Sequence, residues 1–369
     1  MMPRIREFIC RCACLFSVSI AVASLSTNSA RAQNELISAL TNGSPLIDLR
    51  LRFEDIAQSN KLRRAYATTL RARVGYETGQ FRGFSALAEA DLIGHAGGEH
   101  FNDTLNGNTA FPAIADPDMA ALNRLQLDYA AVLADDAAAA NRPDLHIHLG
   151  RQRIIFGDAR FIGNAPWRQH EQTYDAVSVV DSALADTTLS YVYVEQVNRI
   201  FGPNSAMGRF NGDTHLFNAV YSGFSPAVNI EAYDYLLDFR QAPALSTATY
   251  GLRAESRLTL FPDVTAAQLN AAYARQSNYG PNPLRFDLGY YLGEAALAYA
   301  GFSETLGYEV LEGNGAVGFS TPLASLHGFQ GWAESFLIDP GHPRRAGRGV
   351  ADVGPAERRA CRNEPRAGA

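Results

Sequence analysis

Cysteine is missing from the body of this chain. The sequence has four cysteines in 369 residues: Cys10, Cys12 and Cys14 lie near the N-terminus, and Cys361 lies near the C-terminus. A disulfide framework is therefore excluded between these ends, although exported domains often use one. Lysine is almost missing too, because Lys61 is the only one, so arginine carries nearly all of the positive charge.

Long apolar runs are also scarce. After the first 32 residues, the stretch Ala130–Ala140 comes closest to the length that a membrane-spanning helix needs, and two aspartates interrupt it. A helical membrane protein is therefore not expected.

The N-terminus has the three parts of a secretory signal peptide. Arginines at positions 4, 6 and 11 precede the uncharged apolar run Cys12–Leu25, and Ala30-Arg31-Ala32 supplies a small-x-small cleavage signal. We expect residues 1–32 to be a signal peptide that is cut after Ala32, with an uncleaved anchor as the alternative.

The charge of the chain argues against nucleic acid as a partner. The net charge is −6, and residues 33–338 are more acidic still because both ends are rich in arginine. A nucleic-acid-binding domain would need a basic surface.

Apolar and charged residues alternate along the whole body. In Leu46–Glu54, the side chains of Ile47, Leu49 and Leu51 fall on one face of a strand, and Arg50 and Arg52 fall on the other. About fourteen such segments predict strands. They are Leu46–Glu54, Ala67–Thr78, Phe81–Ile93, Leu122–Ala130, Asp144–Ile155, Thr173–Asp181, Thr187–Asn198, Thr214–Ser222, Ala227–Phe239, Thr247–Leu260, Val264–Arg275, Phe286–Tyr299, Ser303–Glu312 and His327–Phe336.

The connections between these segments alternate between short and long. Short turns at one end and long loops at the other are typical of outer-membrane β-barrels. We therefore predict an all-β, antiparallel transmembrane β-barrel from 33 to 338, with its charged face inward. A secreted soluble β-protein that binds a polymer is the alternative, because alternation alone does not say which face is inside.

The densest polar run is Gly150–Asp175. It reads GRQRIIFGDARFIGNAPWRQHEQTYD and falls between two predicted strands. Guanidinium groups bind carboxylates through two parallel hydrogen bonds. A long loop of this composition can fold into a pore and contact anions there.

Gly150-Arg151-Gln152-Arg153, Asp158–Asn164, Trp167-Arg168-Gln169 and Thr173-Tyr174-Asp175 together resemble the central motif of the alginate-export domain family. The family consists of outer-membrane barrels of Gram-negative bacteria, and some members have arginine-lined pores for an anionic polyuronate. The resemblance covers roughly Leu46 to Ile338, and only the central block is specific. It implies a barrel of roughly 16–18 strands.

The end of the chain departs from this pattern. Residues 339–369 are rich in arginine, proline and glycine and contain no aromatic residue. We expect a disordered tail and propose that the reading frame is altered near codon 339, with the last strands of the barrel lost. A native periplasmic extension is the alternative.

Together these features predict an outer-membrane pore for anionic or polyuronate-type solutes, with no enzymatic activity and no cofactor. The alternatives are a general or hydrophobic-solute porin, or an outer-membrane hydrolase, although the sequence has no nucleophile elbow or P-loop. Expected partners are outer-membrane lipid and lipopolysaccharide, an anionic small molecule or polysaccharide, and the barrel-assembly machinery. The predicted pore residues are Arg50, Arg52, Arg71, Arg73, Arg124, Arg151, Arg153, Arg160, Arg168 and Arg253, which select anions in one interpretation and brace the wall through acidic partners in the other.

The sequence predicts no metal site at either of two places that are rich in possible ligands. His146, His148 and His170 lack a nearby cysteine or a tight carboxylate set. The loop Gly94–Ala121 has many oxygen-bearing side chains but not the EF-hand spacing.

Overall fold

The structure is a computed structural model. It describes residues 29–133, 143–225, 227–261, 265–299, 302–325, 327, 329 and 344–352. Within these residues, one α-helix, α1 (Ser29–Thr41), precedes fourteen strands. The strands are β1 (Ser44–Ile56), β2 (Ala65–Glu77), β3 (Phe84–His95), β4 (Met119–Ala131), β5 (Leu145–Gln152), β6 (Thr173–Asp181), β7 (Thr187–Asn198), β8 (Arg209–Ser225), β9 (Val228–Leu236), β10 (Thr247–Phe261), β11 (Thr265–Asn278), β12 (Asp287–Tyr299), β13 (Phe302–Leu311) and β14 (Arg344–Asp352). A short 3₁₀ helix, Pro243–Leu245, lies between β9 and β10.

All strands of the described residues belong to one sheet in sequence order, and every neighbouring pair is antiparallel. The first thirteen correspond to predicted strands, so the predicted all-β antiparallel fold is confirmed. The turns near residues 78–83 and 182–186 lie at one end, and the loops 96–118, 153–172, 199–208 and 237–246 lie at the other.

Exposure of the side chains identifies the two faces of the sheet. Ile47, Leu49 and Leu51 are 74%, 70% and 69% exposed, while Arg52 and Arg73 are each 7% exposed. The apolar face therefore points outward, as predicted, and the arginines point inward. A soluble sandwich would show the opposite arrangement. No helix among the described residues is long and apolar enough to cross a membrane.

The two ends of the chain differ from the predictions or lie beyond them. Residues 344–352 pair with β13, although the composition predicted a disordered tail there. Main-chain hydrogen bonds depend little on side-chain type, so arginine and glycine can occupy an antiparallel strand. The predicted strand His327–Phe336 lies almost entirely outside the described residues, as do residues 1–28 of the predicted signal peptide and residues 353–369.

Candidate functional site

Residues 153–172, between β5 and β6, fold into the interior of the sheet; we call them the interior segment. Ile162, Gln169 and His170 in this segment are at most 2% exposed. The segment contacts β1 to β4 on one side and β9, β10, β12 and β13 on the other, so it runs between these two parts of the inward face of the sheet.

A buried carboxylate fixes the C-terminal end of the interior segment to the wall. Both oxygens of Glu171 accept hydrogen bonds from Arg153, at 2.5 and 2.7 Å. Arg73 Nη1 lies 2.9 Å from Glu171 Oε1, and the amides of Asn123 and Asn164 donate at 2.7 and 2.6 Å. Burial by itself raises the pKa of Glu171, but the bonds and charge of Arg153, helped by Arg73, outweigh it and lower the pKa to about 2.

The same network continues along β2, β3 and β4. Arg73 binds Asp91 through two hydrogen bonds of 2.6 and 3.0 Å, and His170 Nδ1 lies 3.0 Å from the second oxygen of Asp91. Arg124 binds both oxygens of Glu89 at 2.9 Å. Acidic and basic side chains therefore neutralise one another on this wall.

Residues 166–169 of the interior segment are bound to β1 and β2. Arg50 donates to the carbonyl oxygens of Pro166 and Trp167, at 2.8 and 3.0 Å. Gln169 donates to Thr69 Oγ1 at 2.8 Å. Backbone and side-chain groups of the segment thus replace solvent against these strands.

The remaining arginines of this region also have partners. Arg52 bonds to Asp116 Oδ2 at 3.1 Å and to Glu54, and its guanidinium lies 4.5 Å from the centre of a Trp167 ring. Three further pairs join inward residues. Arg71 binds Asp48 at 2.8 Å, Arg71 also donates to the Gln169 carbonyl at 3.1 Å, and Arg168 lies 3.3 Å from Glu54.

The opposite side of the interior segment is aromatic. Phe161 lies 5.2 Å from Tyr290 and 5.3 Å from Tyr233, measured between ring centres. Within this contact Arg160 binds Glu309 at 2.6 Å, and Arg253 lies 3.4 Å from Asp158. Apolar packing and a few ion pairs therefore anchor this side.

The structure places nine of the ten predicted pore arginines in the interior and corrects the tenth. Arg151 is paired in register with Leu125 and lies two residues from Leu149, and these leucines are 53% and 52% exposed. Alternation thus puts Arg151 on the outward face, where it binds both oxygens of Asp175 at 2.7 and 3.0 Å. Leu145, Ile147 and Leu149 are each two residues apart on this strand, so the alternation in the sequence already places Arg151 on their face.

The acidic partners were only partly predictable. The alternation of β3 places Glu89 and Asp91 on its inward face, where arginines can bind them. Glu171, Glu309 and Asp116 were not predicted as partners. Glu171 is the only acid between Asp158 and Asp175, inside the arginine-rich run. An isolated acid within a dense cluster of buried arginines is a signal that could have identified it.

His146, His148 and His170 contact other side chains of the protein. His148 Nδ1 lies 2.5 Å from Asp128 Oδ1, and the rings of His146 and His148 are stacked with their centres 6.4 Å apart. Among the described residues, no three side chains are grouped as metal ligands.

No family model and no curated protein matches the chain. Solved outer-membrane porins match its fold. OccAB3 from Acinetobacter baumannii has a TM-score of 0.56 at 14% identity, over 73% of this chain and 67% of that chain. OccD3 from Pseudomonas aeruginosa has 0.54 at 14%, over 82% and 64%. A BenF-like porin from Pseudomonas fluorescens Pf-5 has 0.56 at 13%, over 76% and 70%.

These likenesses define the class: the chain has the fold of outer-membrane porin β-barrels. It spans about two thirds of the length of these structures. The resemblance to the alginate-export family stays an expectation, because the solved structures reported above are Occ and BenF-like porins.

Proposed function

We propose that the protein is an outer-membrane pore and that residues 153–172 form its constriction. The observation that carries this proposal is the course of the interior segment, which runs between two parts of the inward face of the sheet and is bound on both sides. The outward apolar face and the porin fold support the membrane location. A passive channel needs no catalytic group, which fits the expected absence of enzymatic activity.

The charge pattern supports small solutes better than a polyuronate. A polyuronate would engage a continuous row of solvent-facing guanidinium groups, whereas Arg73 and Arg160 are buried against carboxylates. The side chain of Arg153 is 33% exposed and that of Asp48 is 54% exposed, so both signs of charge face the interior solvent. We propose a narrow pore with a modest anion preference that arises at Arg153. Polyuronate export, which the sequence resemblance implies, is the second candidate.

Planar-bilayer recordings test the pore and its selectivity. We expect stepwise conductance and, in a salt gradient, a reversal potential that indicates anion preference. Arg153→Gln should move the reversal potential towards cation preference, because it removes the exposed positive charge. Arg151→Gln is the matched control: it makes the same chemical change two residues away, on the outward face, and should leave the reversal potential unchanged.

The outcomes separate the candidates. Block by uronate oligomers at low concentration, together with weak passage of small anions, would favour polyuronate export. Equal reversal potentials for Arg153→Gln and the parent protein would leave Arg153 as a structural brace. If no conductance is observed and the protein fractionates with soluble material, the pore proposal is wrong.

A further inference from the structure

The helix α1 has an apolar surface that no described residue covers. Leu36, Ile37 and Leu40 are 42%, 49% and 53% exposed. Their spacing of one and four residues places them within one arc of about 100° on the helix. On the flank of this arc Ala39 is only 6% exposed, because it packs against the sheet. The helix is therefore amphipathic, with one flank bound and an apolar surface open.

Three hydrogen bonds attach the C-terminal end of α1 to the sheet. Gly79 N donates to the carbonyl of Ala39 at 2.8 Å, and the Tyr76 hydroxyl donates to the carbonyl of Leu40 at 2.8 Å. The same hydroxyl accepts from Gly43 N at 2.8 Å. The junction is tight, since a Cβ at Gly43 would lie 2.2 Å from the Glu77 carbonyl oxygen. The helix therefore has a defined position relative to the end of β2.

The C-terminal end of α1 lies beside the outward apolar face, at the edge of the sheet where the short turns are. Tyr76 lies on the same face of β2 as Leu70 and Val74, which are 45% and 42% exposed, so it belongs to the outward apolar face. The attachment is also beside the turn at Gly79, at the short-turn end of the sheet. In outer-membrane barrels the short turns are periplasmic.

We propose that α1 is an interfacial helix that inserts Leu36, Ile37 and Leu40 into the periplasmic leaflet of the outer membrane, against the phospholipid headgroup and acyl boundary. The continuity of this surface with the outward face at Tyr76 and Val74 carries the assignment to lipid. An amphipathic helix of this kind lies in the plane of the interface with its apolar side buried. It would fix the N-terminal strand at the membrane surface. This inference rests on the membrane location in the proposed function.

The test uses single-cysteine labelling, which the chain permits because residues 33–338 contain no cysteine. In a background in which Cys10, Cys12, Cys14 and Cys361 are all replaced by serine, a polarity-sensitive fluorophore is attached at Ile37→Cys or Leu40→Cys. Ser38→Cys is the matched control on the polar side of the same turn, and Leu49→Cys reports the outward face of β1. The proteins are reconstituted in vesicles of phosphatidylethanolamine and phosphatidylglycerol that contain brominated lipids.

We expect the labels at Ile37 and Leu40 to emit at shorter wavelength than the label at Ser38, and to be quenched by lipids brominated near the headgroup. The label at Leu49 should be quenched by lipids brominated near the end of the acyl chain. Tyr76→Phe removes the hydroxyl that binds α1, so it should reduce quenching at Ile37 while leaving quenching at Leu49 unchanged.

Two results overturn the inference, and they differ in what else they imply. Quenching at Leu49 without quenching at Ile37 and Leu40 means that the barrel is in the membrane but α1 does not contact lipid. Absence of quenching at Leu49 removes the membrane location itself and, with it, the proposed function.

Discussion

Replacing Glu171 by glutamine should loosen the interior segment from the wall of β2 to β4. Glu171 is 2% exposed, and its charge compensates Arg153 and part of Arg73. Removing one member of a buried ion pair leaves the other charge without compensation and costs about 3–5 kcal/mol. The lowered pKa gives a similar magnitude: a fall from the ordinary value of 4.5 to about 2 corresponds to a free energy on the order of 3 kcal/mol.

Acid should have the same effect as the substitution. Because the pKa of Glu171 is lower in the folded protein, ionised Glu171 stabilises the attached segment fully above about pH 4.5. This contribution is lost as the pH falls through about 2. The parent protein should therefore approach the behaviour of Glu171→Gln under strong acid, and the variant should respond less to the same change of pH.

Single-channel recording measures the effect. Loosening of the constriction should raise the open-channel current and its noise and weaken ion selectivity. Glu294→Gln is the control, since Glu294 accepts a hydrogen bond from Asn270 and lies on β12, away from the contacts of Glu171. If Glu171→Gln matches the parent and the control in current, noise and thermal stability, the segment is not held by this cluster.

Three further substitutions test other parts of the structure. Leu49→Arg puts a charge on the outward face and should cost about 2–4 kcal/mol, seen as loss of the heat-resistant folded band on gels; an unchanged band would refute the assignment of the face. Gly150→Ala should impair folding, because Gly150 has a φ of +114° and a Cβ would lie 2.3 Å from a carbonyl oxygen of β4; the control Gly97→Ala, where nothing lies within 4 Å, should melt like the parent by circular dichroism. Arg160→Met should lower the melting temperature, because it leaves the charge of Glu309 unpaired where that residue is only 3% exposed. Adding Glu309→Leu should restore part of the melting temperature. Additive losses would mean that the two residues do not interact.

Strand alternation predicted most of the sheet and also shows where sequence reasoning stops. The sequence of β9 does not show which of its faces points inward, because both faces carry apolar and acidic residues. In the structure Tyr233 and Tyr235 are buried inward against Phe156 and Phe161, while Asp234 lies on the outward side. The inner wall is aromatic here because the interior segment packs on it. Single-sequence periodicity does not contain that tertiary contact.

The sequence did not predict α1 or the distant acidic partners, for two separate reasons. α1 contains the predicted cleavage site after Ala32, and a signal-peptide end is not expected to form a helix that packs on the mature domain. The partner of Arg160 is 149 residues away in sequence, on β13. Long-range pairs of this kind depend on the path of the interior segment, which composition does not specify.

The ion pairs of Arg73 and Arg153 decide whether each arginine is accessible to an anionic solute. Arg73 is bound at once by Asp91 and Glu171, so a solute carboxylate would have to displace two buried acids to reach it. Arg153 gives Glu171 two hydrogen bonds and still has one third of its side chain exposed. An anion can approach that exposed part without breaking the pair. In the proposed pore, Arg73 would therefore brace the wall, and Arg153 would attract a passing anion.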